Sequence, residues 1–364
     1  MMISRRQVMT GAAALGLLPG GAALARTPDM DSALDAAFAT GGAPALAGMV
    51  VGPDGPLWTG ARGVRQAGGG DAVTADDLWH LGSNTKAMTA ALYGRLVDQG
   101  RARRGATLSE LLPDVTMDPG WRAVPIEAVM GHVAGLADDT AMGRAWLMTA
   151  RDDPRSLVQQ RRSLMQAMLA VPPAGTPGTF AYANANYVLL GAVIERITGQ
   201  AWEQAMQAEV FVPLGITTGG FGAPAGDQPR GHRGGVAVNA SDPGSDNPMA
   251  MGPAGTVHMS LSDYGRFLSV FLNDGAGWLT PASLSVLTTA IGSGSPPYAG
   301  GWIVPPAQPW ARGPALTHDG SNTMWYVSTW VAAGLGRAFV AVSNDAEKGR
   351  QSCQRLIPGL IRAI

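Results

Sequence analysis

The sequence predicts an α+β fold: an antiparallel sheet flanked by helices, built from both chain ends, with a helix-rich domain inserted between them. Three observations predict it. Residues 46–63 (LAGMVVGPDGPLWTGARG) are two short apolar runs joined by a Pro-Asp-Gly turn, the pattern of a hairpin. Residues 324–333 and 337–343 are rich in aromatic and β-branched side chains and flank Gly334-Leu335-Gly336, which predicts a second hairpin of central strands. Between the two, helical periodicity dominates. A chain of 364 residues has length for roughly two domains. The expected division is 26–80 with 235–364 for the sheet domain and 81–234 for the helix-rich one.

Residues 1–25 precede the fold. Ser4-Arg5-Arg6-Gln7-Val8 is a twin-arginine pattern, Met9 to Leu18 is mildly apolar, and Ala23-Leu24-Ala25 offers a small-x-small cleavage site. This reads as an export signal cleaved after Ala25. The expected location is periplasmic or secreted, with no stable membrane anchor after cleavage. The apolar run falls well short of the roughly 20 residues a spanning helix needs.

Residues 30–39 then read as a helix with an Asp-Ser start. Residues 83–99 carry Met88, Leu92 and Leu96 at i, i+4 and i+8, which predicts a helix with Ser83 at its start. Residues 126–131 and 155–170 read as further helices. Residues 187–198 are an apolar helix closed by Gly199. Residues 201–211 continue as helix and stop at Pro213-Leu214-Gly215. Residues 262–273 and 345–364 complete the helical set.

Composition narrows the function. With 46% hydrophobic and 15% charged residues, the chain is not a disordered protein. A formal net charge of −1 gives no drive toward nucleic acid or anionic lipid, so the expected partner is a small-molecule or peptide substrate and no nucleic acid. The single Cys353 reads as a buried thiol. His80, His132, His232 and His258 lack metal-ligand spacing and read as structural, and no phosphate-binding glycine loop precedes a helix. Neither a metal nor a cofactor is expected.

Three short motifs carry chemistry. In Ser83-Asn84-Thr85-Lys86, positions i and i+3 share one helix face, so the lysine amine reaches the serine hydroxyl. A desolvated lysine can serve as the base that makes serine a nucleophile. The chain has only two lysines, Lys86 and Lys348, against 24 arginines. Arginine cannot release its proton, so a lysine kept beside a serine points to titration rather than to charge. The same residues also read as a helix-capping serine followed by a surface lysine. In Tyr182-Ala183-Asn184, after a Pro/Gly-rich loop, a phenol could relay a proton if neighbouring cations lowered its pKa, and the Asn184 amide could hold a lysine or a substrate amide. In His318-Asp319-Gly320-Ser321, before the strand at 324–333, Gly320 would let a substrate backbone lie along the strand edge, and the following N–H could face an oxyanion. A plain Asp-Gly turn is the alternative.

The order Ser-x-x-Lys, Tyr-x-Asn, His-x-Gly resembles the serine β-lactamase-related family, which includes class C β-lactamases, D-Ala-D-Ala carboxypeptidases and lactamase-like esterases. Met130 through Leu136, Ile194 through Gly199, Phe211-Val212-Pro213-Leu214-Gly215-Ile216, Pro253-Ala254-Gly255 and Gly301-Trp302 are similar to further segments of that family. The resemblance implies a β-lactamase/transpeptidase-like fold and a serine hydrolase. It implies Ser83 as the acylated nucleophile, with Lys86 and Tyr182 sharing the general-base work. Asn184 would orient the lysine and the substrate, beside His318, Gly320 and Ser321 in substrate binding. The backbone N–H groups of Ser83 and Ser321 would form the oxyanion hole.

One departure bears on specificity. His318 stands where β-lactamases place a lysine, and a histidine near neutral pH is only partly charged. Asp319 adds a negative charge if it points inward. Both favour an esterase or a D-amino-acid peptidase over a β-lactamase. A non-catalytic protein of penicillin-binding type that recognises cell-wall peptides is the remaining alternative.

Overall fold

The computed structural model describes residues 29–364. The twin-arginine segment and the cleavage expected after Ala25 lie outside the described residues. Among the described residues ten strands follow in chain order: β1 (Ala45–Gly52), β2 (Gly55–Gly63), β3 (Leu78–His80), β4 (Gly220–Phe221), β5 (His232–Arg233), β6 (Val236–Ala237), β7 (Val257–Ser260), β8 (Leu316–Ser321), β9 (Tyr326–Ala332) and β10 (Arg337–Ser343). The main sheet has the order β2-β1-β10-β9-β8, antiparallel throughout. Strands from both chain ends therefore meet in one sheet, as expected. A small sheet, β3-β7-β4, and the β5-β6 hairpin lie apart from it.

Strand β1 explains the layering. All eight of its residues are buried, so it needs cover on both faces. Leu46 and Val50 point to a core shared with Phe339, Tyr326 and Leu356, where the terminal helices Met30–Gly41 and Ala346–Arg362 pack. Ala47, Met49 and Val51 point the other way, into the large core shared with the helix-rich region. The period of two in side-chain direction thus divides one strand between two layers.

Among the helices, the one expected from Ser83 begins as a 3-10 turn, Gly82–Asn84, and becomes α-helical at Thr85–Asp98. The helix expected at 187–198 starts earlier, at Asn184, and Gly199 closes it in a left-handed conformation. The helix read at 262–273 runs Leu261–Leu272 and is capped by Ser260, whose hydroxyl accepts from the Asp263 N–H.

One reading needs correction. The segment His318–Ser321 is not merely the approach to a strand at 324–333. It belongs to β8, an edge strand in its own right, and β9 begins only at Tyr326. Asp319-Gly320 pairs with Val327 and Ser328 instead of turning. Pairing with β9 overrides the local turn preference of Asp-Gly.

Candidate active site

The helix Thr85–Asp98 is built for the interior. Its first ten residues, Thr85 through Gly94, are all buried, and alanine recurs along it at Ala87, Ala90 and Ala91. Small side chains let neighbouring segments come close. The helix carries Lys86 into the core at zero exposure, one turn after the half-buried Ser83.

Lys86 has three partners. Its Nζ is 3.0 Å from Ser83 Oγ, 2.9 Å from Asn184 Oδ1 and 2.7 Å from the Ala254 carbonyl. The last two are obligate acceptors. As a neutral amine the lysine can give its two N–H bonds to them and turn its lone pair to the Ser83 hydroxyl. Desolvation favours that form and lowers the Lys86 pKa to about 7, with the Asp138 charge opposing. The faces of Tyr182 and Tyr187 lie 5.0 and 5.6 Å from Nζ, and they favour the protonated form.

Tyr182 is placed by backbone pairing. The Ala181 N–H donates to the His132 carbonyl and the Gly178 N–H to the Val133 carbonyl, so the Pro/Gly-rich loop is laid along residues 132–133. His132 Nδ1 then accepts from the Ala183 N–H, at 3.3 Å, and from Asn186 Nδ2, at 3.0 Å. The result brings the Tyr182 hydroxyl 2.8 Å from Ser83 Oγ, donating to it. Burial raises the Tyr182 pKa, the opposite of the cation-lowered phenol expected from the sequence. Tyr182 is therefore held as a phenol, and Lys86 is the group poised to accept a proton near neutrality.

Asn184 is oriented by a residue the sequence did not single out. Asp138 Oδ1 accepts from the Ala185 N–H at 2.9 Å, and its Oδ2 accepts from Asn184 Nδ2 at 3.3 Å. With the Asn184 amino group committed to Asp138, its oxygen faces Lys86. Asp138 sits in an Asp-Asp-Thr turn with no spacing relation to the motifs, so no sequence signal marked it.

Strand β8 completes the site. Gly82 has φ +51°, and a Cβ there would overlap the Ser321 amide. A Cβ on Gly320 would overlap the Leu81 carbonyl. The two backbones touch only because both residues are glycine, and the Ser321 amide comes within van der Waals reach of the turn that carries Ser83. The first N–H groups of a helix lack intrahelical partners, so the turn carrying the Ser83 amide is a natural donor end.

His318 and Asp319 take opposite faces of β8. The His318 ring lies against Tyr182, centroids 6.3 Å apart, on the Ser83 side of the strand. Its Nε2 bonds the Tyr298 hydroxyl at 2.9 Å, and its Nδ1 bonds the Asp319 carbonyl at 2.8 Å. Burial, then the nearby Lys86 charge, lowers its pKa to about 3. The partly charged histidine expected from the sequence is thus a neutral one, for it is desolvated. The Asp319 carboxylate points to the other layer, where Oδ2 accepts from the Tyr326 hydroxyl at 2.6 Å, and burial raises its pKa. It puts no charge into the site.

The structure thus gathers Ser83, Lys86, Tyr182 and Asn184 in direct contact, with His318, Gly320 and Ser321 along the adjoining edge. Of the histidines read as structural, His232 and His258 bond only backbone groups away from this cluster. His132 and His80 flank it.

In a mixed α/β fold, a buried lysine and a phenol converge on one serine. The chain belongs to the beta-lactamase family, whose model matches residues 30–358. Penicillin-binding protein 4 of Amycolatopsis lactamdurans is 29% identical over 252 residues, covering 67% of this chain and 63% of that protein. The lovastatin esterase of Penicillium rubens is 25% identical over 218 residues, covering 53% of this chain and 52% of that protein. The match therefore spans less than two thirds of either relative. A D-stereospecific amidohydrolase from Streptomyces sp. shares the fold with a TM-score of 0.71 at 22% identity, over 91% of this chain and 97% of its own.

Proposed function

We propose that the protein is a serine hydrolase that works through an acyl-enzyme at Ser83 on esters, amides or D-amino-acid peptides. The observation that carries this reading is the convergence of Lys86 Nζ and the Tyr182 hydroxyl on Ser83 Oγ. Ser83 Oγ attacks the substrate carbonyl carbon and its proton passes to neutral Lys86. The carbonyl oxygen becomes an oxyanion between the Ser83 and Ser321 amides. Collapse of the tetrahedral intermediate breaks the bond to the leaving group, which takes the Tyr182 proton, and Lys86 restores it. Water then repeats the sequence on the acyl-enzyme and frees Ser83.

Neutral His318 favours an esterase or peptidase over a β-lactamase. Its two ring nitrogens are both engaged within the protein, so it offers no fixed cation to a substrate carboxylate. On this reading p-nitrophenyl butyrate turns over faster than a chromogenic cephalosporin. The mature enzyme would act outside the cytoplasm, the twin-arginine segment being its address.

The test is p-nitrophenyl butyrate hydrolysis by the mature protein beside Ser83→Ala. Turnover is expected to vanish in the variant; turnover that survives it would remove the mechanism.

Asp138 supplies a finer prediction. Its charge raises the Lys86 pKa, against the lowering by burial. Asp138→Asn removes that charge, so the acid limb of the kcat/KM profile is expected to move to lower pH. Because the Asn184 amide also loses its anchor, the plateau should fall as well. An unmoved limb would show that Lys86 does not set it.

A further inference from the structure

We propose that His80, Asp246 and Asn322 are positioning residues that set the spacing of the Ser83 and Ser321 amides. The inference rests on the acyl-enzyme reading above. Those two amides come from separately built pieces of the fold. One is the turn at the start of a core helix, and the other is the last residue of an edge strand. The glycine contact between them prevents overlap but does not hold them together.

A continuous hydrogen-bonded chain does so. The Gly82 N–H donates to His80 Nδ1 at 3.1 Å. That bond leaves Nδ1 without a proton, so the ring carries it on Nε2. His80 Nε2 lies 2.9 Å from Asp246 Oδ2 and donates to it. Asp246 Oδ1 accepts from Asn322 Nδ2 at 2.9 Å and from the Asn247 N–H at 2.7 Å. Asn322 Oδ1 accepts from the Met324 and Trp325 N–H groups, at 3.2 and 3.1 Å, which fixes the turn from β8 into β9. One end of the chain is the residue before Ser83 and the other is the residue after Ser321.

The chain is dry. Exposure is 0% at His80, 7% at Asp246 and 3% at Asn322. A buried group that loses its partner finds little water to replace it, so each link resists rearrangement. The Arg151 guanidinium adds a bond to the Asp246 carbonyl at 2.6 Å and ties the segment after the helix Arg144–Thr149 to the same point. His80 itself is held by β3, where it pairs with His258 of β7. None of the three side chains bonds Ser83, Lys86 or Tyr182, so they act through the backbone of the two amides.

The experiment uses the mature protein with p-nitrophenyl butyrate, and compares Asn322→Asp, Asp246→Asn and the double variant. Asn322→Asp keeps the oxygen that holds the hairpin but sets a carboxylate against Asp246. Asp246→Asn leaves one oxygen for two side-chain donors. Each single variant is expected to lose roughly ten- to hundredfold in kcat, with KM within about twofold. Phenylboronic acid, which forms a tetrahedral anionic adduct on serine, should bind more weakly by the same factor as kcat/KM falls. The double variant exchanges donor and acceptor and should recover most of both losses. His80→Asn, which keeps an acceptor for the Gly82 N–H and gives up Asp246, is read the same way if Asn322→Asp fails to fold. Unchanged kcat in the single variants, or losses confined to KM or to melting temperature with boronate binding intact, would overturn the proposal. Turnover retained by Ser83→Ala would instead sink the acyl-enzyme reading. An inactive Ser83→Ala beside fully active network variants would sink only the positioning role.

Discussion

Lys86→Arg is expected to lower kcat/KM by about 10²–10⁴-fold, the usual worth of a general base, while keeping a positive charge at the site. Arginine holds its proton at any working pH, so it cannot accept the one Ser83 must lose. The wild-type profile should rise with pH through about 7, where Lys86 becomes the free amine, and then level off. The Lys86→Arg profile should lack that limb. A second readout follows from linkage. Lys86 titrates near 7 when folded and near the ordinary lysine value of 10.5 when unfolded. The unfolded state therefore binds more protons between those values, and stability rises with pH across that window. Each pH unit there is worth about 1.4 kcal/mol. Relative to Lys86→Met, the wild-type protein should gain stability from about pH 7 toward 10.5, and keep its full deficit below 7. Parallel stability curves for the two proteins would show that the lysine is not desolvated as described.

Arg161→Met is expected to destabilise the protein by about 3–5 kcal/mol, because it strands the buried Glu195 carboxylate and the half-buried Glu203. The Arg161 side chain is fully buried. Its Nε and Nη2 donate to Glu195 Oε1 at 2.9 and 2.6 Å, and its Nη1 and Nη2 donate to the two oxygens of Glu203 at 3.0 and 2.8 Å. Glu195 Oε1 also accepts from the Trp202 N–H at 3.0 Å. Helices Leu157–Leu169, Asn184–Thr198 and Trp202–Met206 are thus joined by one guanidinium. Removing the cation alone leaves the buried Glu195 carboxyl without its partner. Replacing the arginine together with both glutamates, by methionine and glutamines, should restore much of the loss, since desolvation then falls with the charges. Denaturant unfolding of the single and triple variants checks both statements. Equal stabilities for the two would show that the stranded glutamates are not the source of the effect.

The legible parts of this molecule were those where local spacing and tertiary structure agree. Ser83 and Lys86 were readable because a helix turns i and i+3 to one side. The β1–β2 and β9–β10 hairpins of the main sheet were readable because their apolar runs flank Pro-Asp-Gly and Gly-Leu-Gly. Strand β8 was obscured because Leu-Thr-His-Asp-Gly-Ser is polar and turn-prone, and its pairing with β9 decides its conformation. Asp138, Tyr298, His80 and Asp246 were invisible as site residues for another reason. Asp138 and Asp246 bond groups 46 to 166 residues away, and although His80 bonds the nearby Gly82 N–H, its Asp246 partner is 166 residues on; no periodicity links such pairs. Charge state was the least legible property. Whether His318 is protonated, and which way Asp319 faces, depend on burial and strand parity, which only the assembled sheet defines.

The main sheet also sets a timetable. Its central pairing joins β1 to β10, and the Ala45 amide bonds Asn344, 299 residues later in the chain. Strand β1 is apolar on both faces, yet half of its cover does not exist until the last strand has been made. The helix-rich middle, with Ser83, Lys86 and Tyr182, is complete much earlier. Ser321 reaches Ser83 only when the final hairpin docks. A chain halted before residue 316 would therefore hold Ser83, Lys86 and Tyr182 beside a strand β1 that lacks its β10 partner, and would have no Ser321 amide.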